Sequence, residues 1–291
     1  MSEKRASWRF KDGDEIVPGR LAVDVLGGGI RAEAWLAWDT TLHTIVVVKL
    51  LRPDFVANER ARTALAREVR ALERLAHPAI VRMFDSSLDG ERPFIVLESL
   101  DGPRLSTLLR RYGPLTPEQL VPLGLEVASA LAYLHNLDLV HLDVKPKNII
   151  MSASPKLIDL GLVRPLSEVR ALTSALGTTA YMSPEQSQDE TIAGFGPLGD
   201  VWGLGVTLYE AASGRLPFPR STDEDKHPQV HVGPAPLPKK IPEVLRGVIM
   251  PMLAYQPEER PTAKEVAARL EDLVEEARLV ARKRLHARHR R

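Results

Sequence analysis

One lysine sets the terms on which this chain can fold. Lys49 stands in the run Ile45-Val46-Val47-Val48-Lys49-Leu50-Leu51, which reads as a strand buried in a sheet. An ammonium in so apolar a setting needs a partner of opposite charge, because burying an unpaired charge is very unfavourable. Glu68 poses the same problem with the sign reversed. It lies three residues after Leu65 and four before Leu72, on the apolar stripe of a segment whose spacing predicts a helix over Asp54–Ala76. Each charge is most simply the other's partner. The alternative, side chains that snorkel to water, accounts for one such residue more easily than for two.

Around this pair the chain reads as a small strand-rich part followed by a larger helical one. Strands are expected at Arg20–Leu26, Ala32–Trp38, Ile45–Leu51 and Phe94–Leu100. From Thr116 onward helices dominate: Leu120, Leu123, Val127, Leu131 and Leu134 form one apolar stripe, and further helices are expected at Val201–Ser213, Pro242–Tyr255 and Ala263–Leu285. The change falls near Leu100–Gly102, so the expected parts are 1–100, 101–275 and a short basic end, 276–291. Apolar residues at 44% and charged residues at 26% of 291 fit a globular chain rather than a disordered or fibrous one. There is no cysteine, which excludes disulfides, thiolate zinc sites and cysteine nucleophiles. Met1–Arg20 lacks the apolar stretch of a signal peptide, and Thr44–Leu51 is too short to span a bilayer, so a cytoplasmic protein is expected. Pro228, Pro234, Pro236, Pro238 and Pro242 mark an extended surface loop, with a PxxP ligand as the alternative.

Three further stretches carry chemistry. Leu26-Gly27-Gly28-Gly29-Ile30-Arg31-Ala32-Glu33-Ala34 lies between two expected strands, and glycines let a backbone come close to phosphates. No Gly-Lys-Ser/Thr follows, so it is not a Walker A loop. His141-Leu142-Asp143-Val144-Lys145-Pro146-Lys147-Asn148 packs an acid, two amines and an amide into one loop. Leu157-Ile158-Asp159-Leu160-Gly161 ends a short apolar strand with a carboxylate, and Asp and Asn oxygens are the hard ligands that Mg²⁺ prefers.

In this order, and with Gly177-Thr178-Thr179-Ala180-Tyr181-Met182-Ser183-Pro184-Glu185, Asp200-Val201-Trp202 and Arg260-Pro261 after them, the motifs resemble those of a eukaryotic-like serine/threonine protein kinase of the bacterial type. The resemblance runs from about Gly19 to Leu273. It implies an α+β, bilobal kinase fold: a small β-sheet N-lobe with one main helix and a larger, mostly helical C-lobe. It implies ATP and Mg²⁺, with Mn²⁺ as an alternative, and protein Ser/Thr hydroxyls as acceptors, those of the chain itself included; a homodimer is a further expectation. By the same resemblance Gly27, Gly28 and Gly29 approach the phosphates. Lys49, held by Glu68, contacts the α- and β-phosphates. Asp143 accepts the substrate hydroxyl's proton, Lys145 steadies the γ-phosphate, and Asn148 and Asp159 hold two Mg²⁺ ions. Leu97 is the gatekeeper, and Glu98-Ser99-Leu100 offers backbone groups to adenine, which Ala34 and Val47 cover. Asp143-x-Lys145 with Thr178 matches the Ser/Thr-directed form, and Glu185 and Arg260 match an ion pair that holds the C-lobe together.

Several positions depart from the family pattern. Ala32 replaces the third glycine of the loop. Ala34 stands where Val is usual and Val47 where Ala is usual, a swap that keeps total volume. Leu160 replaces Phe in Asp-Phe-Gly. Leu142 replaces the Arg that commonly pairs with a phosphate on the activation segment, so activation independent of loop phosphorylation is expected, although Ser167, Thr173, Ser174 and Thr179 remain acceptors there, with Arg164 and Arg170 nearby. Gln188–Gly199 is glycine-rich and looks longer than the family pattern. The rival readings are a pseudokinase, a nucleotide-binding scaffold that regulates a partner, and a small-molecule kinase; Lys49, Asp143 and Asp159 argue against the first and Gly177–Glu185 against the second. Finally, the net charge of +1 hides an asymmetry. Six Lys and Arg and no acid occupy residues 282–291, leaving −5 for residues 1–281. That tail is a solvated helix end, or a handle for an acidic partner, nucleic acid or an anionic membrane surface.

Overall fold

The computed structural model describes residues 6–172, 176–187, 196–222 and 225–275. Two compact units make up the chain: Met1–Ala76 with Ile80–Asp101, and His77–Ala79 with Gly102–Arg291. Among the described residues no helix is long and apolar enough to cross a membrane. The expected basic tail, Thr173, Ser174 and most of Gln188–Gly199 lie outside the described residues.

The first unit is a six-stranded antiparallel sheet and one long helix. Its strands are β1 (Glu15–Val17), β2 (Arg20–Gly28), β3 (Ala32–Asp39), β4 (Thr44–Leu51), β5 (Met83–Ser87) and β6 (Phe94–Glu98), in the order β1-β2-β3-β4-β6-β5; helix α1 is Glu59–Glu73. The two-residue alternation of strands sorts β4 into two faces. Val46, Val48 and Leu50 join Trp35, Ala37, Phe94 and Val96 in a buried cluster, against which Trp8 and Phe10 pack. The opposite face carries Lys49, paired with Ala34 and Ile95, and Val47, paired with Leu36 and Leu97. The β3–β4 turn is held by Asp39, a buried carboxylate that accepts the amides of Thr41 and Leu42 and the Nε of Arg20, each at 2.8 Å.

The helix expected over Asp54–Ala76 is divided. Pro53–Phe55 forms a separate 3₁₀ turn, and α1 starts only at Glu59 because Asn58 is extended (φ −84°, ψ 109°) and its side chain accepts the Ala61 amide at 2.9 Å, a helix N-cap. Strands β1 and β5 were not expected. β1 has only three residues, and the edge strand β5 is half polar, Met83-Phe84-Asp85-Ser86-Ser87.

The second unit is mostly helical: α2 (Leu105–Tyr112), α3 (Pro117–Asn136), α4 (Leu166–Val169), α5 (Pro184–Ser187), α6 (Pro197–Ser213), α7 (Glu243–Ile249) and α8 (263–275). Short two-residue strands β7 (Leu139–Val140), β8 (Ile149–Ile150), β9 (Lys156–Leu157) and β10 (Arg164–Pro165) pair as β7–β10 and β8–β9. The whole Leu120–Leu134 stripe of α3 is buried, and a capping box of Thr116 and Gln119 starts the helix. Helix α6 begins at Pro197, earlier than its apolar stretch implies, with proline supplying the first turn. The helix expected over Pro242–Tyr255 stops at Ile249 and continues as a 3₁₀ turn, Met250–Leu253, because Pro251 has no amide to extend an α-helix.

Burial alone would raise the Asp39 pKa, but the two amides and Arg20 outweigh it and hold the carboxyl below its usual 3.8. The folded state therefore binds fewer protons than the unfolded chain as the pH falls through that value, so this stabilisation is present above about pH 4 and is lost below it. Asp39→Asn should cost about 2 kcal/mol at neutral pH and flatten the decline in stability below about pH 4, as read by urea denaturation across pH.

Candidate active site

Within the first unit, strand β4 and helix α1 bring the two charges together. Lys49 Nζ donates to Glu68 Oε1 at 2.7 Å and to Oε2 at 2.8 Å. Glu68 is buried, while about a quarter of the Lys49 side chain stays exposed (24%). The Lys49 side chain is thus oriented by Glu68 without being sealed from solvent. Ala34, opposite Lys49, and Val47, two residues before it, are diagonal neighbours on this half-buried face. Leu97 is buried at the partner position of Val47. Glu98 is already committed in part: its amide donates to the Arg82 carbonyl at 2.9 Å and its Oε1 accepts the Arg82 amide at 2.8 Å.

The glycine run forms the β2–β3 connection, and its glycines are not equivalent. A Cβ on Gly28 would lie 2.4 Å from the Ala32 carbonyl oxygen, so the hairpin itself demands glycine there. A Cβ on Gly29 would meet nothing within 4 Å, so the fold leaves that position open.

In the second unit, the loop after β7 gathers the expected catalytic residues. Asp143 Oδ2 accepts Lys145 Nζ at 2.6 Å and Asn148 Nδ2 at 3.0 Å, and its Oδ1 accepts the Thr178 hydroxyl at 2.9 Å. Lys145 Nζ also donates to Thr178 Oγ1 at 2.5 Å. Asn148 spends its amide hydrogens on Asp143, on the main-chain oxygen at 2.9 Å as well as the carboxylate, which turns its own Oδ1 the other way. The β8–β9 pairing extends to an Ile158 amide bond to the Asn148 carbonyl at 3.0 Å and so sets Asp159 next to that end of the loop. Among the described residues no group of three or more His, Cys, Asp or Glu could enclose a metal. Asn148 Oδ1 and the Asp159 carboxylate are, however, the sparse oxygen set that Mg²⁺ takes when phosphates complete its shell.

Residues outside the expected site hold this loop in place. Asp200, buried on α6, accepts the amides of His141 and Leu142 at 2.7 Å each and His135 Nε2 at 3.0 Å. Leu142 needs such support because its φ of 70° is left-handed, a conformation unfavourable for a branched side chain. Gly177 (φ 122°) passes so close that a Cβ there would sit 2.7 Å from the Leu142 carbonyl oxygen. The segment after Thr178 is anchored by Gln229, whose Nε2 donates to the carbonyls of Thr179 and Met182 at 3.1 Å. It is also anchored by Tyr181, whose hydroxyl donates to Glu210 at 2.6 Å; burial and the Glu210 charge keep that phenol protonated well above its usual range. The Pro-rich stretch thus contributes Gln229 to the anchoring of this segment. Glu185 and Arg260 meet in a two-pronged pair at 2.7 and 2.8 Å, with Arg260 stacked 4.8 Å over Trp202.

The sequence profile of the protein kinase domain matches residues 22–269. The chain belongs to the protein kinase family. Its two units are the curled antiparallel N-lobe and helical C-lobe of the bilobal α+β kinase fold. The kinase is 34% identical over 262 residues to the serine/threonine-protein kinase PknB of Mycobacterium leprae, covering 85% of this chain and 42% of that protein. It is likewise 34% identical over 262 residues to the probable serine/threonine-protein kinase PkwA of Thermomonospora curvata (89% of this chain, 34% of that one). With PknL of Mycobacterium tuberculosis it shares 36% over 197 residues, 66% of this chain and 49% of the relative. The kinase therefore spans less than half the length of these curated relatives.

Sequence motifs alone named Asp200 as a landmark without its task, and they gave no signal for Gln229 or Glu210, whose partners lie far along the chain. Asp200→Ala would leave two buried amides without acceptors, at about 1–3 kcal/mol each. It should destabilise the kinase by more than about 3 kcal/mol in chemical denaturation.

Proposed function

We propose that this kinase transfers the γ-phosphoryl group of ATP to Ser and Thr hydroxyls of proteins, its own included. The observation that carries this reading is the contact between Thr178 and Asp143. An aliphatic hydroxyl donates to Asp143 Oδ1 at 2.9 Å, and a substrate Ser or Thr would make the same kind of bond. Asp143 would orient the attacking oxygen and accept its proton as the new P–O bond forms. Lys145, 2.6 Å from Asp143, would neutralise charge on the transferring group, and Lys49, oriented by Glu68, would bind the α- and β-phosphates. Mg²⁺ held by Asn148 and Asp159 would supply charge neutralisation for the phosphates.

We also propose that the kinase works without a phosphate on its activation segment. Leu142 sits in an apolar cluster with Val140 and Val169, packed by Leu162, Leu166, Leu172 and Leu176. Apolar burial would then dock the segment where an Arg–phosphate pair commonly does. Thr173 and Ser174 lie outside the described residues.

Labelled ATP with Mg²⁺ and a generic protein substrate tests both readings. Wild type should label Ser and Thr, Asp143→Asn should lose at least about a hundredfold in rate, and prior phosphatase treatment should change the wild-type rate by less than about twofold. ATP binding without transfer would instead indicate a regulatory scaffold. Transfer only to small molecules would exclude a protein substrate.

A further inference from the structure

Residues 6–14 precede the stretch matched by the kinase profile, yet part of this segment covers one face of the sheet. The rings of Trp8 and Phe10 stack with centroids 6.1 Å apart, and Phe10 meets Trp35 edge-on at 5.3 Å. Arg92 lies over both rings, 5.2 Å from Trp8 and 5.0 Å from Phe10, and its Nη1 donates to the carbonyls of Glu15 and Ile16.

Beneath this cover is Glu33, a buried carboxylate with no part in the chemistry above. Its Oε1 accepts the Trp8 amide at 3.2 Å and the Trp35 indole at 3.1 Å, and its Oε2 accepts Arg52 Nη1 at 3.0 Å. Arg52 reaches in two directions. Nη1 also donates to the Ala6 carbonyl at 3.0 Å, whereas Nε donates to the carbonyl of Gly29 at 3.1 Å and the main-chain amide to that of Arg31 at 2.9 Å. One side chain therefore joins the N-terminal segment to the tip of the glycine loop.

The tip has little else to hold it. Ile30 is 60% exposed, and across the tip the Gly29 amide donates to the Ala32 carbonyl at 2.9 Å. A peptide unit is planar and trans, so holding the Gly29 carbonyl toward Arg52 points the Ile30 amide the opposite way. The direction of loop amides matters because they are what a glycine loop offers to phosphates.

We infer that Arg52, locked by Glu33 and by the docked segment 6–10, is a positioning residue for the glycine loop, so that docking of the N-terminal segment sets the affinity for ATP. This rests on the kinase reading above. The test compares wild type with Arg52→Met, Arg52→Lys and Trp8→Ala in KM for ATP, KM for protein substrate, and hydrogen exchange of residues 26–31. The Trp8 indole donates to the Leu51 carbonyl at 2.8 Å, beside Arg52, whereas its bond to Glu33 is made by the main-chain amide, so a shift in ATP binding in Trp8→Ala reports coupling of the docked segment through Leu51 and Arg52. Arg52→Met and Trp8→Ala should each raise KM for ATP by about tenfold and several-fold respectively, leave KM for protein substrate within about twofold, and speed loop exchange. Arg52→Lys should fall between Arg52→Met and wild type. If Arg52→Met fails to fold, Arg52→Lys is read by the same criteria. Unchanged ATP KM in the folded variants, or ATP and protein KM rising together, would overturn the inference while leaving an active wild type as a kinase. A wild type that binds no ATP would overturn the kinase reading itself, and the inference with it.

Discussion

The ion pair between Lys49 and Glu68 is the constraint around which the first unit is organised. It places an ammonium in the middle of the central strand β4 and a carboxylate on the inner stripe of α1, and each would be severely destabilising alone. The pair therefore dictates which face of the sheet α1 covers and at what register. It also leaves the other face to be closed by something else, the cluster that Trp8 and Phe10 complete. Buried ion pairs seldom raise stability above what apolar residues of similar size would give, so stability alone does not account for this one.

The second unit applies a different device. Its candidate catalytic loop is held by bonds to its main chain as well as by side-chain packing. Asp200 collects the amides of His141 and Leu142, and Gly177 fits where any side chain would strike the Leu142 carbonyl. Leu142 accepts a left-handed backbone under that restraint while its side chain joins the apolar cluster beneath the segment. The carboxylate of Asp143, the ammonium of Lys145 and the hydroxyl of Thr178 are then fixed within hydrogen-bonding distance of one another, the preorganisation that phosphoryl transfer requires.

What could be read from the sequence follows from the range of the interactions involved. Periodicity located β4, α1 and α3 because each carries a long, regular apolar pattern, and the clash of Lys49 and Glu68 with that pattern pointed to their pairing. Boundaries were missed where a single residue decides them: Asn58 as a cap, Pro251 as a stop, Pro197 as a start. Glu33 went unread because nothing in Ala32-Glu33-Ala34 shows that Trp8, 25 residues away, and Arg52, 19 residues away, converge on it. Gln229 escaped for the same reason: its acceptors at Thr179 and Met182 are 50 and 47 residues distant.

The central proposal is that the pair sets the register of α1 but is kept for the phosphates and not for stability. The most direct measurement is on the double variant Lys49→Met/Glu68→Leu, with unfolding free energy and phosphoryl transfer read on the same protein. The account predicts stability within about 1 kcal/mol of wild type and a loss of transfer of at least about a hundredfold. Transfer retained within about threefold, or a loss of stability beyond about 3 kcal/mol, would contradict it.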